Sequence, residues 1–104
     1  MILQDDLKKV REIIASGWTQ EATAVNARNS PVDPTSQHAV KWSLYGATIK
    51  VYSDTSAARL VRSLHRAMIS LYSGYRTLKS FNAALGRTQK QVLIVIDLAI
   101  KNER

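Results

Sequence analysis

From Asp54 to Ser80 the chain reads DTSAARLVRSLHRAMISLYSGYRTLKS. Its apolar positions Ala57, Leu60, Val61, Leu64, Ala67, Met68, Leu71, Tyr75 and Leu78 recur at steps of three and four. At ~100° per residue they fall on one stripe of an α-helix. The opposite side carries Arg59, Arg62, Ser63, Arg66, Ser70 and Ser73. The pattern predicts a long core-forming helix, the third in the chain, capped by Ser53 or Asp54. Gly74 interrupts it, and the stripe continues through Tyr75 and Leu78, so a kink there and a run toward Asn82 are expected.

The same reading predicts a first helix over Leu3–Ser16, where Leu3, Leu7, Val10, Ile13 and Ile14 share a face. Asp5 and Asp6 complement the dipole of its first turn, and Gly17 suits a left-handed residue beyond its end. Thr19–Pro34 has scattered polar residues and two prolines, and reads as a long loop with a short strand near Ala22–Val25. Asp33-Pro34 has the chemistry of an N-cap followed by N1, so a second helix is expected from about Pro34 to Tyr52. It is apolar nearly all round, which places it centrally. Gly46 within it implies close approach of a neighbouring helix. Ala47–Ser53 alternates and carries β-branched residues, so a strand is the competing reading there. Leu85-Gly86 closes the third helix. Thr88 and Gln91 form a capping box that opens a last helix with Val92, Leu93, Ile96, Ala99 and Ile100 on its stripe. Gln91–Ile100 as a buried strand is the alternative that the capping box disfavours. The fold expected is all-α, a single domain over 1–104 of about four helices around Trp18, Trp42, Leu64, Leu71, Leu93 and Ile96.

Charge changes this picture more than composition does. The net charge is +7, from 15 basic and 8 acidic residues. No acid occurs between Thr55 and Ile96, a stretch that holds Arg59, Arg62, Arg66, Arg76, Lys79, Arg87 and Lys90. The other eight basic residues match the eight acids, so the whole excess belongs to that stretch. An excess concentrated in this way attracts polyanions. Cysteine is absent, which excludes disulfides, thiol catalysis and cysteine-ligated metal sites. No apolar run is long enough to span a membrane. The acidic start, MILQDDLKK, is unlike a signal peptide, so a cytoplasmic protein without membrane contact is expected.

Candidate chemistry is sparse. His38 and His65 are the only histidines, and neither has the companions that a metal site needs. There is no phosphate loop or nucleophile elbow, so neither a cofactor nor an enzymatic activity is expected. An enzyme built on Asn82, Arg87 and a serine is a third class with no supporting constellation. Arg59, Arg62 and Arg66, spaced three and four apart, project along one helix side. Guanidinium and hydroxyl groups suit phosphate oxygens. Arg87 and Lys90 flank the start of the last helix. Trp18 and Trp42 are expected in the core, with Tyr45, Tyr52, Tyr72 and Tyr75 at its edge. Any exposed subset of these tyrosines with Phe81 would form a protein-binding patch.

Three motifs, taken in order, resemble a family of small bacterial and phage proteins known only as a domain of unknown function. They are Gly17-Trp18-Thr19-Gln20; Ala39-Val40-Lys41-Trp42-Ser43-Leu44-Tyr45-Gly46-Ala47; and Phe81-Asn82 followed by Gly86-Arg87-Thr88 and Val92-Leu93. Trp18, Trp42, Gly46, Asn82, Arg87 and Thr88 carry the match. The chain departs from the pattern at Ser43, where the family has cysteine, and at Phe81-Asn82-Ala83, where it reads Trp-Asn-Asp. The resemblance implies the helix order and a phage or mobile-element setting, and implies no mechanism. The function expected is therefore non-catalytic: an accessory protein binding a host protein or nucleoprotein complex, such as a host-defence inhibitor. The alternative is sequence-independent binding of DNA or RNA through the arginine face. A nearly all-apolar second helix also raises a homodimer as a way to cover it.

Overall fold

The computed structural model describes residues 2–52 and 57–103. Expectations for a cap at Ser53 or Asp54 lie outside the described residues. Among those described, the elements are α1 (Ile2–Ser16), β1 (Ala24–Val25), β2 (Lys41–Trp42), α2 (Leu44–Val51), α3 (Ala57–Leu71), α4 (Leu78–Asn82) and α5 (Gln89–Asn102). The fold is mainly helical, with five described helices rather than about four, and a two-stranded antiparallel sheet. No described helix is long and apolar enough to cross a membrane.

Helix α1 forms where its stripe predicts. Leu7, Val10 and Ile14 are fully buried, and α1 packs on α5 and α2. Asp6 is also buried, its carboxylate accepting from the Tyr52 hydroxyl at 2.8 Å and lying 3.7 Å from Lys9 Nζ. Gly17 ends the helix without a left-handed backbone. Glycine is needed there for another reason: a Cβ would collide with the Val40 carbonyl oxygen. That close approach lets Trp42 N–H donate to the Gly17 carbonyl at 3.0 Å, and Thr19 N–H to the Trp42 carbonyl at 3.2 Å.

The second helix is shorter than its sequence signals suggest. Asp33 does not cap a helix. Its carboxylate accepts from Thr35 N–H at 2.8 Å and from the Thr35 hydroxyl at 2.6 Å, closing a local turn. Ser36 Oγ accepts from His38 N–H at 3.1 Å in the same way. Short polar side chains that bond nearby backbone compete with helix formation. Lys41–Trp42 is then free to pair with β1, in register Ala24↔Trp42 and Val25↔Lys41. The true N-cap of α2 is Ser43, whose Oγ accepts from Gly46 N–H at 2.9 Å. A Cβ on Gly46 would strike the Thr23 carbonyl, so what approaches this glycine is the bend leading into β1 and not a helix. The strand alternative over Ala47–Ser53 does not hold for the described part, which is helical to Val51. Leu44, Gly46, Ala47 and Thr48 of this helix are buried within the one chain, whereas Tyr45, Ile49 and Val51 are half-buried.

The long third helix is two helices. Helix α3 ends at Leu71, and the chain folds back through Gly74 into α4. Thr77 and Ser80 form a complete capping box at the start of α4. Gly74 is neither left-handed nor crowded. Leu71, expected in the core, is 46% exposed, at the last residue of α3, just before the chain enters a cluster of Tyr72, Tyr75 and Phe81. The Phe81 ring lies 5.0 Å from that of Tyr72 and 5.8 Å from that of Tyr75. Phe81 itself is fully buried, so it belongs to no exposed patch. Ser63, expected on the polar side of α3, is buried and donates to Glu103 Oε2 at 3.0 Å.

Helix α5 opens on the expected Thr88–Gln91 capping box, after a left-handed Gly86 with φ 81°. Gln89 Nε2 donates to the Ile14 carbonyl at 2.7 Å and Gln4 Nε2 to the Ile100 carbonyl at 3.1 Å, tying α5 to α1 at both ends. Arg11 Nε lies 2.6 Å from Asp97 Oδ1. That hydrogen bond, with the carboxylate charge behind it, raises the pKa of Arg11. The core joins Leu7, Leu44, Leu60, Leu64, Met68, Phe81 and Ile96. Trp42 is buried, whereas Trp18 and Leu93 are half-buried and pack against the outside of this cluster.

Candidate functional site

The candidate residues separate into an inner and an outer set. The inner set is centred on Asn82, the last residue of α4, which is 2% exposed. Its Oδ1 accepts from Trp18 Nε1 at 2.7 Å and from Leu44 N–H at 3.1 Å; its Nδ2 donates to the Thr19 carbonyl at 3.1 Å. One amide thus joins the end of α1, the start of α2 and the end of α4. Gln20 Nε2 reinforces the joint by donating to the carbonyls of Asn82 and Ala84 at 3.2 and 2.9 Å. Trp42 Nε1 donates to the Pro34 carbonyl at 2.9 Å. Gly46 lies against Thr23, and Thr88 caps α5. Among the described residues, every buried side-chain nitrogen and oxygen has a hydrogen-bond partner.

Arg87 belongs with this inner set. Its Nε donates to the Phe81 carbonyl at 2.9 Å, and Nη1 to Gln91 Oε1 at 3.3 Å. Its guanidinium carbon lies 4.0 Å over the Phe81 ring, 4.7 Å from the Tyr72 ring and 5.1 Å from that of Tyr75. A half-buried guanidinium stacked on aromatic faces contributes by cation–π attraction and packing. Two of its five N–H donors are therefore used inside the fold.

The outer set is Arg59, Arg62, Arg66, Arg76, Lys79 and Lys90, all exposed. Arg59, Arg62 and Arg66 lie within an arc of about 60° on α3 and span roughly 10 Å along its axis. Among the described residues the ion pairs are Lys9–Asp6 and Arg11–Asp97, so none of the outer cations is neutralised by one. The α3–α4 turn brings Arg76 and Lys79 toward the same helix. His65 Nε2 bonds the Arg76 carbonyl at 2.7 Å; a carbonyl only accepts, so this nitrogen carries the proton. Lys79 Nζ sits 4.8 Å over the Tyr45 ring. Lys90, in the first turn of α5, stands apart from this cluster in the chain and shares no described contact with it. Glu103, bonded to Ser63, is the acid that the structure places beside the arginine face.

His65 falls at the edge of the arginine face by helical spacing alone, whereas Tyr45 joins the outer surface without a sequence signal strong enough to place it. Their proximity to Arg76 and Lys79 depends on the fold-back into α4. No group of three or more metal-ligating side chains is found among the described residues.

No curated protein and no solved structure matches this chain. Residues 2–102 match the model of a family of unknown function, DUF6197, and the chain belongs to that family.

Proposed function

We propose that the protein is a non-catalytic binding module whose working surface is the basic face of α3, extended by Arg76 and Lys79, and that it takes nucleic acid through its phosphates without reading sequence. The observation that carries this reading is that, among the described residues, no acid forms an ion pair with these exposed cations. A mixed-charge solvated face would carry glutamates at the same spacing; α3 contains none. The roughly 10 Å covered by Arg59, Arg62 and Arg66 matches about three phosphates of one strand.

The test is a titration with mixed-sequence DNA and RNA at low and moderate salt. Each phosphate contact contributes about −0.9 to the slope of log K against log salt on duplex DNA, so the three arginines account for roughly −2.7. Arg59→Glu, Arg62→Glu and Arg66→Glu together should abolish binding while the circular dichroism stays unchanged. Tight binding by that variant would sink the helix-face reading.

A second reading is an accessory protein, in a phage or mobile-element setting, that docks on an acidic surface of a host protein or nucleoprotein complex. It is favoured by Ile69, which is 41% exposed and lies seven residues beyond Arg62 on the same side of α3. An apolar residue among arginines suits a protein interface. Ile69→Ser should weaken a protein complex and leave phosphate binding unchanged.

A further inference from the structure

The fold-back of α4 creates a recess of about 340 Å³ between α2, α3 and α4. That volume is at the lower end of the ~300–1,000 Å³ of small-molecule sites. Its apolar surface comes from Leu78, which is buried, and from half-buried Val61 and Tyr45. His65, Arg76 and Lys79 supply the polar part. The Thr77 hydroxyl is already used by the α4 capping box. Helices α2, α3 and α4 contain no acidic residue.

An apolar recess beside three basic side chains excludes cations. It also has more apolar surface than a bare inorganic anion can use. Its complement is an anion with a flat apolar body. The Tyr45 ring bears on that body directly: what lies over its face is the flexible ammonium of Lys79, not a packed side chain. A planar π-system can take that place while Lys79 turns to the charge it carries. The neighbours in sequence extend the argument. Arg62 follows Val61 and Arg66 follows His65 on α3, so a strand leaving the recess meets the arginine face within one turn.

We propose that this recess binds one nucleotide, with its base against Tyr45, Val61 and Leu78 and its phosphate on Arg76 and Lys79. The nucleotide is either free or part of a single strand. The single-strand form rests on the polyanion reading above; the free form does not. A base inside a duplex is stacked and paired, so duplex would make phosphate contacts alone, whereas a single strand would also place a base in the recess.

The experiment uses the full chain and four probes: inorganic phosphate, a nucleoside 5′-monophosphate, a mixed 12-nucleotide single strand, and the corresponding duplex. Methyl signals of Val61 and Leu78 report the recess. The expected result is that the mononucleotide shifts these signals while equimolar phosphate does not. Arg76→Ala/Lys79→Ala and, separately, Tyr45→Leu should each weaken single-strand binding by about tenfold, the scale of one stacked base. Duplex binding should change less than about twofold in Tyr45→Leu. The denaturation midpoint of each variant serves as the folding control, since Arg76 and Lys79 are exposed. Phosphate and mononucleotide acting alike would overturn the proposal, as would equal losses on strand and duplex in Tyr45→Leu. Strand and duplex binding through α3 with no response in the recess defeats this inference alone. Mononucleotide binding without polynucleotide binding supports it and defeats the polyanion reading instead.

Discussion

Asn82→Ala is the change to which the fold should respond most. The side chain is 2% exposed and joins three segments. Its loss strips the acceptor from Leu44 N–H, held at 3.1 Å in a buried position. That group is one of the donors a helix leaves open at its first turn, and without Asn82 it has no substitute. A buried unpaired donor costs about 1–3 kcal/mol. Trp18 Nε1 at 2.7 Å and the Thr19 carbonyl at 3.1 Å are partly buried. Water can replace part of each, so each contributes roughly 0.5–1 kcal/mol. With the space left by the lost side chain, the total is about 3–5 kcal/mol. Against a typical stability of ~5–15 kcal/mol, that is about a fifth or more of the whole.

Urea unfolding followed by tryptophan fluorescence measures this directly. At a slope of about 1–1.5 kcal/mol/M, the midpoint should fall by roughly 2–5 M. Trp18→Phe removes one of the three bonds and should show coupling. The double variant should cost about 1 kcal/mol less than the two single changes added together, since both delete the Trp18–Asn82 bond. A loss below about 1 kcal/mol for Asn82→Ala, or strict additivity with Trp18→Phe, would refute the view that this amide is the joint of the fold.

Three further outcomes follow from single contacts. Gly46→Ala places a Cβ against the Thr23 carbonyl, so it should destabilise by more than about 2 kcal/mol although alanine is normally the better helix former; Gly74→Ala, with open space around it, should change stability by less than about 1 kcal/mol, both read from thermal melts. Arg87→Met removes the stacked guanidinium and its bond to the Phe81 carbonyl, and should cost about 2 kcal/mol while leaving the affinity for duplex DNA within about twofold of wild type. The hydrogen bonds from the Thr35 hydroxyl and backbone hold the Asp33 carboxyl below its ordinary pKa. The turn's contribution is therefore complete above the ordinary carboxylate range and is lost as pH falls through the lowered value; an NMR titration of Thr35→Val should show Asp33 moving back up.

The parts of this fold that sequence reads well are those whose signals are local. Helix α1 carries an apolar stripe and α5 a stripe with a capping box, and both appear where those signals place them. The start of α2 was misread because Asp33-Pro34 looks the same whether Asp33 caps a helix or closes a turn. The deciding interactions are distant: β1 and Gly17–Thr19 hold Trp42 extended, and nothing in residues 33–42 states that partnership. The break between α3 and α4 was hidden by coincidence of period, since Tyr75 and Leu78 continue the stripe of α3 across a reversal of the chain. The residual signal was Thr77-x-x-Ser80, a capping box with serine in place of the more telling glutamate or glutamine. The exposed arginines of α3 were legible because a helix face is set by spacing alone. The commitment of Arg87 was not, because Tyr72, Tyr75 and Phe81 converge on it only after the fold-back.

This separation bears on what family membership can predict. Trp18, Trp42, Gly46, Asn82, Arg87 and Thr88, the residues on which the sequence resemblance rests, all make contacts that close the fold. Trp18 and Asn82 bond each other, Trp42 anchors the Pro34 turn, Gly46 admits Thr23, Arg87 covers the aromatic cluster and Thr88 caps α5. A residue whose donors and faces are used internally has little left for a partner. Arg59, Arg62, Arg66, Arg76 and Lys79 are outside that set and make no ion pair among the described residues. A relative can therefore keep the joint at Asn82 and the whole architecture while carrying another charge on α3. Shared membership then transfers the fold, and under the proposed function the partner is sought on the face of α3 and in the recess beside it. A relative with acids at the positions of Arg62 and Arg66 should fold alike and fail to bind DNA at low salt; strong binding by such a protein would place the working surface elsewhere.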